Sequence, residues 1–207
     1  MMQRPLTVEE RNNETRSVLE AISQTYPGKI QKVIKQGDRI KLSAGLDYEV
    51  DDINAVEEIC MGTPKGGIPY DAIYNHFKSD QKAVMNIFEE KGLKEGRKNV
   101  LPYSEVVKSK VGLCNEKAIA MQLYTQNLME SYLITGNLSE DENDFANFHA
   151  FNIILSPKKG PHIIDTENPI LINGKINPYI VPIDKINRDT IIKLSQPDSD
   201  KRIYGVL

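Results

Sequence analysis

The sequence predicts an α+β protein in which a cysteine-bearing helix packs on an antiparallel β-sheet, preceded by an N-terminal helical extension. Three observations carry this expectation. Apolar residues recur at helical spacing up to about residue 129, and from Tyr132 onward they change to short β-rich runs divided by turn residues. Between the two regimes lies Val111-Gly112-Leu113-Cys114-Asn115-Glu116-Lys117-Ala118, where a glycine turn opens an amphipathic helix.

The elements follow in order. Thr7-Val8-Glu9-Glu10 is a capping-box pattern, with Glu10 reaching back to Thr7, and Val18, Leu19 and Ile22 continue a helical stripe as far as Tyr26-Pro27. Residues 29–46 place Ile30, Val33, Ile34, Ile40 and Leu42 around Gln36-Gly37-Asp38, which predicts a hairpin turning at the glycine. Ile53, Val56, Ile59 and Cys60 return to helical spacing, and Gly62 with Pro64-Lys65-Gly66-Gly67 ends that helix in a loop. That loop is the expected boundary between a helical and hairpin extension (1–68) and a catalytic domain (69–207).

Ser79-Asp80 caps a further helix with Val84, Ile87 and Phe88 at helical spacing before Gly92, and residues 103–110 form a short one. The cysteine helix, about 113–129, places Ala118, Met121, Leu128 and Met129 near one apolar flank that Ile119 and Leu123 broaden. Strands are expected at 132–135, 148–155, 161–167, 169–172 and 175–181, and Asn173-Gly174 is a two-residue hairpin signal. The acidic run 139–144 reads as a solvated loop close to His149.

Composition narrows the function. The chain has 207 residues, enough for one well-filled core, and a net charge of −3 with dispersed lysines offers no basic surface for nucleic acid. No run approaches the ~20 apolar residues of a membrane helix, and the charged start lacks a signal core, so a cytoplasmic protein is expected, with export by a signal-independent route also compatible. Two cysteines, Cys60 and Cys114, are too few for a disulfide framework or for a zinc site, which takes about four ligands. Neither a metal nor a cofactor is expected.

The chemistry-bearing residues come in the order Cys114, His149, Asp165. A thiol at a helix N-terminus feels about half a positive charge from the aligned peptide dipoles, which favours thiolate, and a histidine on a neighbouring strand completes an ion pair. His149 then serves as base and proton donor, and Asp165 sets its tautomer and stabilises imidazolium. The arrangement constrains the turn between the two strands. A two-residue loop at Lys158-Lys159 would set His149 and Asp165 on opposite faces, whereas an odd loop from Ser156 to Gly160 puts Asp165 opposite Phe151 and diagonal to His149. The Cys114 backbone N–H is the first donor to an oxyanion; Tyr103, Asn99 and Asn115 remain open as the second.

Gly112-Leu113-Cys114 with Ala118, then His149-Ala150-Phe151, then Asp165-Thr166 followed by Pro169, resemble the transglutaminase-like domains of the papain-like cysteine enzyme superfamily. The strand at Tyr132–Gly136 and the later Val181-Pro182-Ile183 also fit, so the resemblance covers roughly residues 70–185. It implies a papain-like core, Cys114 as nucleophile, His149 as base and Asp165 as orienter. It also implies thiol-dependent amide hydrolysis or acyl transfer on peptide or protein substrates. The family usually carries tryptophan after His-Ala and often before the aspartate strand. This chain has none, with Phe151 and His162 in those regions, so a peptidase or glutamine deamidase is expected over a crosslinking enzyme. A non-catalytic binding module that keeps the groove is the alternative.

The other candidates have simpler readings. Cys60 ends an apolar helical stripe and is expected in the core. His76 lies in an aromatic stretch with Tyr70, Tyr74 and Phe77 and suits packing, while His162 is expected to be exposed or hydrogen-bonded locally. Gly62–Gly67 lacks the spacing and the Lys-Ser/Thr ending of a phosphate loop.

Overall fold

The computed structural model describes residues 4–25, 30–41, 46–91, 99–137, 148–172 and 175–182. Helix α1 (Val8–Thr25) begins where its capping box sets it: the Glu10 N–H donates to Thr7 Oγ1 (3.2 Å) and the Thr7 N–H to Glu10 Oε2 (2.8 Å). It buries Leu19 and Ile22, and Asn12 reaches across to the Ser156 carbonyl (3.1 Å).

The larger sheet has the order β1 (Ile30–Gln31), β5 (Glu130–Asn137), β6 (Phe148–Ser156), β7 (Gly160–Ile172), β8 (Lys175–Pro182), every pair antiparallel. In β6 every residue from His149 to Leu155 is buried, so both faces of the sheet are covered there and the alternation of a half-solvated strand is lost. Helix α6 (Cys114–Thr125) packs against β5, β6 and β7, and α1 packs against β7. Ile172 pairs with Lys175, so Asn173-Gly174 connects β7 to β8; the turn itself lies outside the described residues, as does the acidic run 139–144.

A smaller sheet joins β2 (Arg39–Lys41) antiparallel to β3 (Leu46–Glu49) and β3 parallel to β4 (Asn99–Pro102). The expected hairpin around Gly37 is therefore corrected. The run before the turn joins the larger sheet, with Ile30 opposite Ile134, and the run after it pairs with β3. Gly37 (φ 87°) makes the turn that sends the chain from one sheet to the other, its N–H donating to the Val50 carbonyl (2.7 Å). The physical reason is burial: a lone two-stranded hairpin is marginal in water, whereas against the larger sheet Ile30 and Ile34 are 9% and 2% exposed. Strand β4 carries no sequence signal, being four residues that end in proline and pair with a segment some fifty residues earlier.

Four further helices lie among the described residues: α2 (Asn54–Cys60), α3 (Tyr70–His76), α4 (Gln81–Glu90) and α5 (Tyr103–Ser109). Asp80 caps α4 by accepting the Ala83 N–H (3.0 Å). Leu19, Tyr48 and Val56, from the first 68 residues, share one core cluster with Ile73, Ile119, Ile134 and Ile164. Among the described residues no helix is long and apolar enough to cross a membrane.

Helix α6 differs from its expected form. It ends at Thr125, leaving Leu128 beyond it and 45% exposed, and residues 116–123 are buried all round. Its polar residues Glu116, Lys117, Gln122 and Thr125 are inside with partners. Gln122 donates to the Lys32 and Ser131 carbonyls (2.9 and 3.1 Å), so polar residues that mimic a solvent face in the sequence are buried hydrogen-bonding groups.

Candidate active site

Cys114 is the first residue of α6 and is half-buried. Before it the chain must approach the helix closely. A Cβ on Gly112 would lie 2.7 Å from Glu116 Cβ and 2.9 Å from Phe77 Cδ1, so the position admits glycine alone without displacement of its neighbours. The loop is held from below by Lys78, whose N–H donates to the Lys110 carbonyl (2.8 Å) and whose carbonyl accepts the Gly112 N–H (3.1 Å).

Leu113 is extended at the N-cap (φ −107°, ψ −154°) and brings no side-chain acceptor, so Glu116, three residues on, caps the turn by accepting the Leu113 N–H at Oε2 (2.7 Å). The other Glu116 oxygen accepts the Tyr48 hydroxyl, and the Tyr103 hydroxyl donates to the Glu116 carbonyl (2.6 Å). Burial pushes the Glu116 carboxyl up, and the Tyr48 and Leu113 hydrogen bonds pull it back only in part. Burial also drives the Tyr48 and Tyr103 phenols well above their ordinary range, which keeps both as neutral donors.

His149, 4% exposed on β6, donates from Nε2 to Asp165 Oδ2 at 2.9 Å and stacks on Phe151 at a centroid distance of 5.9 Å. Its other close partner is the Cys114 side chain, within hydrogen-bonding reach of the ring. Burial alone would lower the imidazolium pKa; the charge and hydrogen bond of Asp165, with smaller contributions from Cys114, outweigh it and raise His149 to about 10.

The register is the one an odd loop requires. Asn152 pairs with Ile164 and Ser156 with Gly160, and one step past the ladder this sets Asp165 beside Phe151, diagonal to His149. Beyond Asp165 the strand bulges: from Asp165 to Ile170 the chain takes five steps along β7 for two along β8, Tyr179 to Asn177. The expected strands 161–167 and 169–172 are thus one strand with an interruption. That interruption frees backbone donors for the carboxylate. Asp165 Oδ1 accepts the N–H groups of Glu167 (3.1 Å) and Asn168 (3.2 Å), and Oδ2 accepts Asn168 Nδ2 (3.0 Å) beside His149. The Tyr70 hydroxyl secures the Asp165 carbonyl (2.9 Å).

The structure thus brings Cys114, His149 and Asp165 together and keeps the other candidates apart. Tyr103 is withdrawn as an oxyanion donor, because its fully buried hydroxyl is committed to the Glu116 carbonyl. The side chain of Asn99 lies outside the described residues, and Asn115 follows Cys114 with its Oδ1 buried and unpartnered among the described residues. Cys60 is 2% exposed, with burial pushing its thiol up to about 12, and borders a cleft of about 560 Å³ lined by Ile34, Val56 and Leu123. His76 donates to the Val107 carbonyl (2.9 Å). His162 is 8% exposed and donates to the Gly160 carbonyl two residues away (2.9 Å), the local hydrogen bond expected as the alternative to exposure. Among the described residues no group of three or more His, Cys, Asp or Glu is placed to hold a metal ion.

Sequence reasoning missed Asn168, Tyr70 and the ion pair of buried Lys117 with Glu167. Asn168 had a faint signal, since an aspartate commonly accepts N–H groups two and three residues on in a turn; the others depend on tertiary contact alone. Comparison with family models, with curated proteins and with solved structures returns no match for this chain.

Proposed function

We propose that this chain is a thiol-dependent amide hydrolase or acyl transferase of transglutaminase-like, papain-like type, acting on peptide or protein amides as a peptidase or glutamine deamidase. The observation that carries this reading is the buried His149–Asp165 pair at 2.9 Å with Cys114, at a helix start, within reach of the same ring. In the resting site the Cys114 thiol gives its proton to His149, whose Nδ1 is the nitrogen left over from the bond to Asp165.

The thiolate attacks the amide carbon, and the carbonyl oxygen takes the electron pair, facing the Cys114 backbone N–H. Collapse of the tetrahedral intermediate breaks the C–N bond as imidazolium protonates the leaving nitrogen. An amine departs from a peptide bond, ammonia from a glutamine side chain. His149 then takes a proton from water, the hydroxide attacks the thioester, and collapse returns Cys114 and a carboxylate. Water is the acceptor favoured here, and the missing tryptophans weigh against crosslinking.

The test is mass spectrometry of a peptide and proteome mixture incubated with wild type or Cys114→Ala, with and without a primary amine. The reading expects cleavage, or a gain of about 1 Da at glutamine, that depends on Cys114. Products identical for the two proteins in every substrate mixture would favour the binding module instead.

A further inference from the structure

Three residues after Cys114, and so one turn along the same helix, Lys117 is 1% exposed although lysine is almost never fully buried unless paired. Its Nζ donates to Glu167 Oε2 (2.6 Å) and to Ser79 Oγ (2.7 Å) and lies 5.2 Å from the centre of the Tyr74 ring. Ser79 Oγ in turn donates to the same Glu167 oxygen (3.2 Å), which closes a three-membered polar joint. Two of its partners reach water: the Glu167 side chain is 20% exposed and Ser79 is an exposed residue.

The joint ties together the three segments that frame the candidate site. Lys117 belongs to the cysteine helix, and Ser79 follows Lys78, whose backbone holds Gly112 and Lys110 in the loop before Cys114. Glu167 belongs to the bulge, and its own N–H, with that of Asn168, holds Asp165 Oδ1 while Oδ2 faces His149. A buried ion pair is weak evidence for stability, because desolvating both charges can cost as much as their attraction returns. What this pair specifies is geometry: it sets the distance between the helix that presents sulfur and the turn that presents the carboxylate.

We propose that Lys117 is a positioning residue of the Cys114–His149–Asp165 site, acting through Glu167 to hold the bulge in the shape that aims Asp165 at His149. The inference rests on the reading of that site given above. Lys117 touches no reacting atom. Its removal leaves Cys114 and His149 in place and loosens the anchor of their third member, so the His149 imidazolium beside the sulfur loses part of its stabilisation.

The experiment measures the second-order rate of Cys114 alkylation by iodoacetamide from pH 5 to pH 9, per folded molecule of full-length chain, for wild type, Lys117→Met, Glu167→Ala, Glu167→Gln and the double variant Lys117→Met/Glu167→Ala. Wild type should keep a high rate at pH 6. Lys117→Met and Glu167→Ala should each lose about tenfold or more at pH 6 and converge on wild type near pH 9, where a thiol ionises unaided. The double variant should be no slower than the slower single variant, as for two residues acting as one unit, and Glu167→Gln, which keeps an acceptor for the ammonium, should recover part of the loss. A lowered melting temperature with an unchanged pH profile in either folded variant would overturn the proposal by showing a structural role only. Should Lys117→Met fail to fold, Glu167→Ala, a change at a partly exposed side chain, carries the same test. A wild type no faster at pH 6 than a free thiol would instead overturn the reading of the site itself, and this inference with it.

Discussion

Asp165 Oδ2 meets His149 Nε2 at 2.9 Å because a bulge, and not a regular ladder, follows Asp165 on β7. In an unbroken strand the N–H groups of residues 167 and 168 would point to opposite sides, one toward each neighbouring strand. Here they turn back onto Asp165 Oδ1 and fix the carboxylate from behind. The irregularity is therefore what aims the pair.

Replacing Asp165 by asparagine should leave the protein folded and lower turnover by about 10³-fold or more, since an amide neither stabilises imidazolium nor selects the same tautomer. Circular dichroism and turnover on one shared substrate check this. Activity within a few fold of wild type would remove Asp165 from the mechanism.

Asn168 supports Asp165 from its side chain at 3.0 Å, while the two backbone donors remain when that side chain is cut back. Asn168→Ala should therefore slow turnover by about tenfold, well short of the Asp165→Asn loss. If the two variants proved equally inactive, the amide of Asn168 would have to act on more than the carboxylate.

The two cysteines should separate chemistry from packing. Cys114→Ala removes a half-buried sulfur at a helix start and should abolish turnover at a stability cost of about 1 kcal/mol or less. Cys60→Ala empties a position 2% exposed and should lower stability by ~1 to 2 kcal/mol with turnover kept. Denaturant midpoints and turnover for both variants decide the matter; a folded Cys60→Ala without activity beside an active Cys114→Ala would move the nucleophile to Cys60.

The stability of His149 depends on pH in a direction set by its shift. Its pKa is raised to about 10 from an ordinary value near ~6.5, so folding favours imidazolium. The associated stabilisation is whole below about pH 6.5 and is lost as pH climbs toward 10. In a Cys114→Ala background, which removes the thiol's own titration, the melting-temperature advantage over Cys114→Ala/His149→Gln should shrink across that window. A gap that stayed level or widened with pH would mean that the ring is neutral in the folded protein.

Much of this was readable from the residues because the informative signals are local. The capping box at Thr7 and Glu10, the glycine before Cys114 and the Asp80 cap place helix starts where the structure has them. Parity between His149 and Asp165 required an odd loop, and the observed register obeys it. Failures occurred where tertiary burial overrides pattern. The hairpin at Gly37 gave way because Ile30 finds a better partner in Ile134, more than a hundred residues away. Helix α6 looked amphipathic because Glu116, Lys117 and Gln122 are polar, yet each is buried with partners drawn from Tyr48, Ser79, Glu167 and the Lys32 and Ser131 carbonyls. No spacing rule reports such partners, and so the joint at Lys117 was invisible until the chain was folded.

The central claim is that His149, held by Asp165, activates Cys114 as a nucleophile, and alkylation at pH 6 tests it most directly. Wild type treated with iodoacetamide should take up one equivalent, located by peptide mapping at Cys114 and not at buried Cys60, between about tenfold and a hundredfold faster than a free thiol. His149→Gln should fall to the free-thiol rate. Labelling of Cys114 in wild type no faster than in His149→Gln would contradict the account.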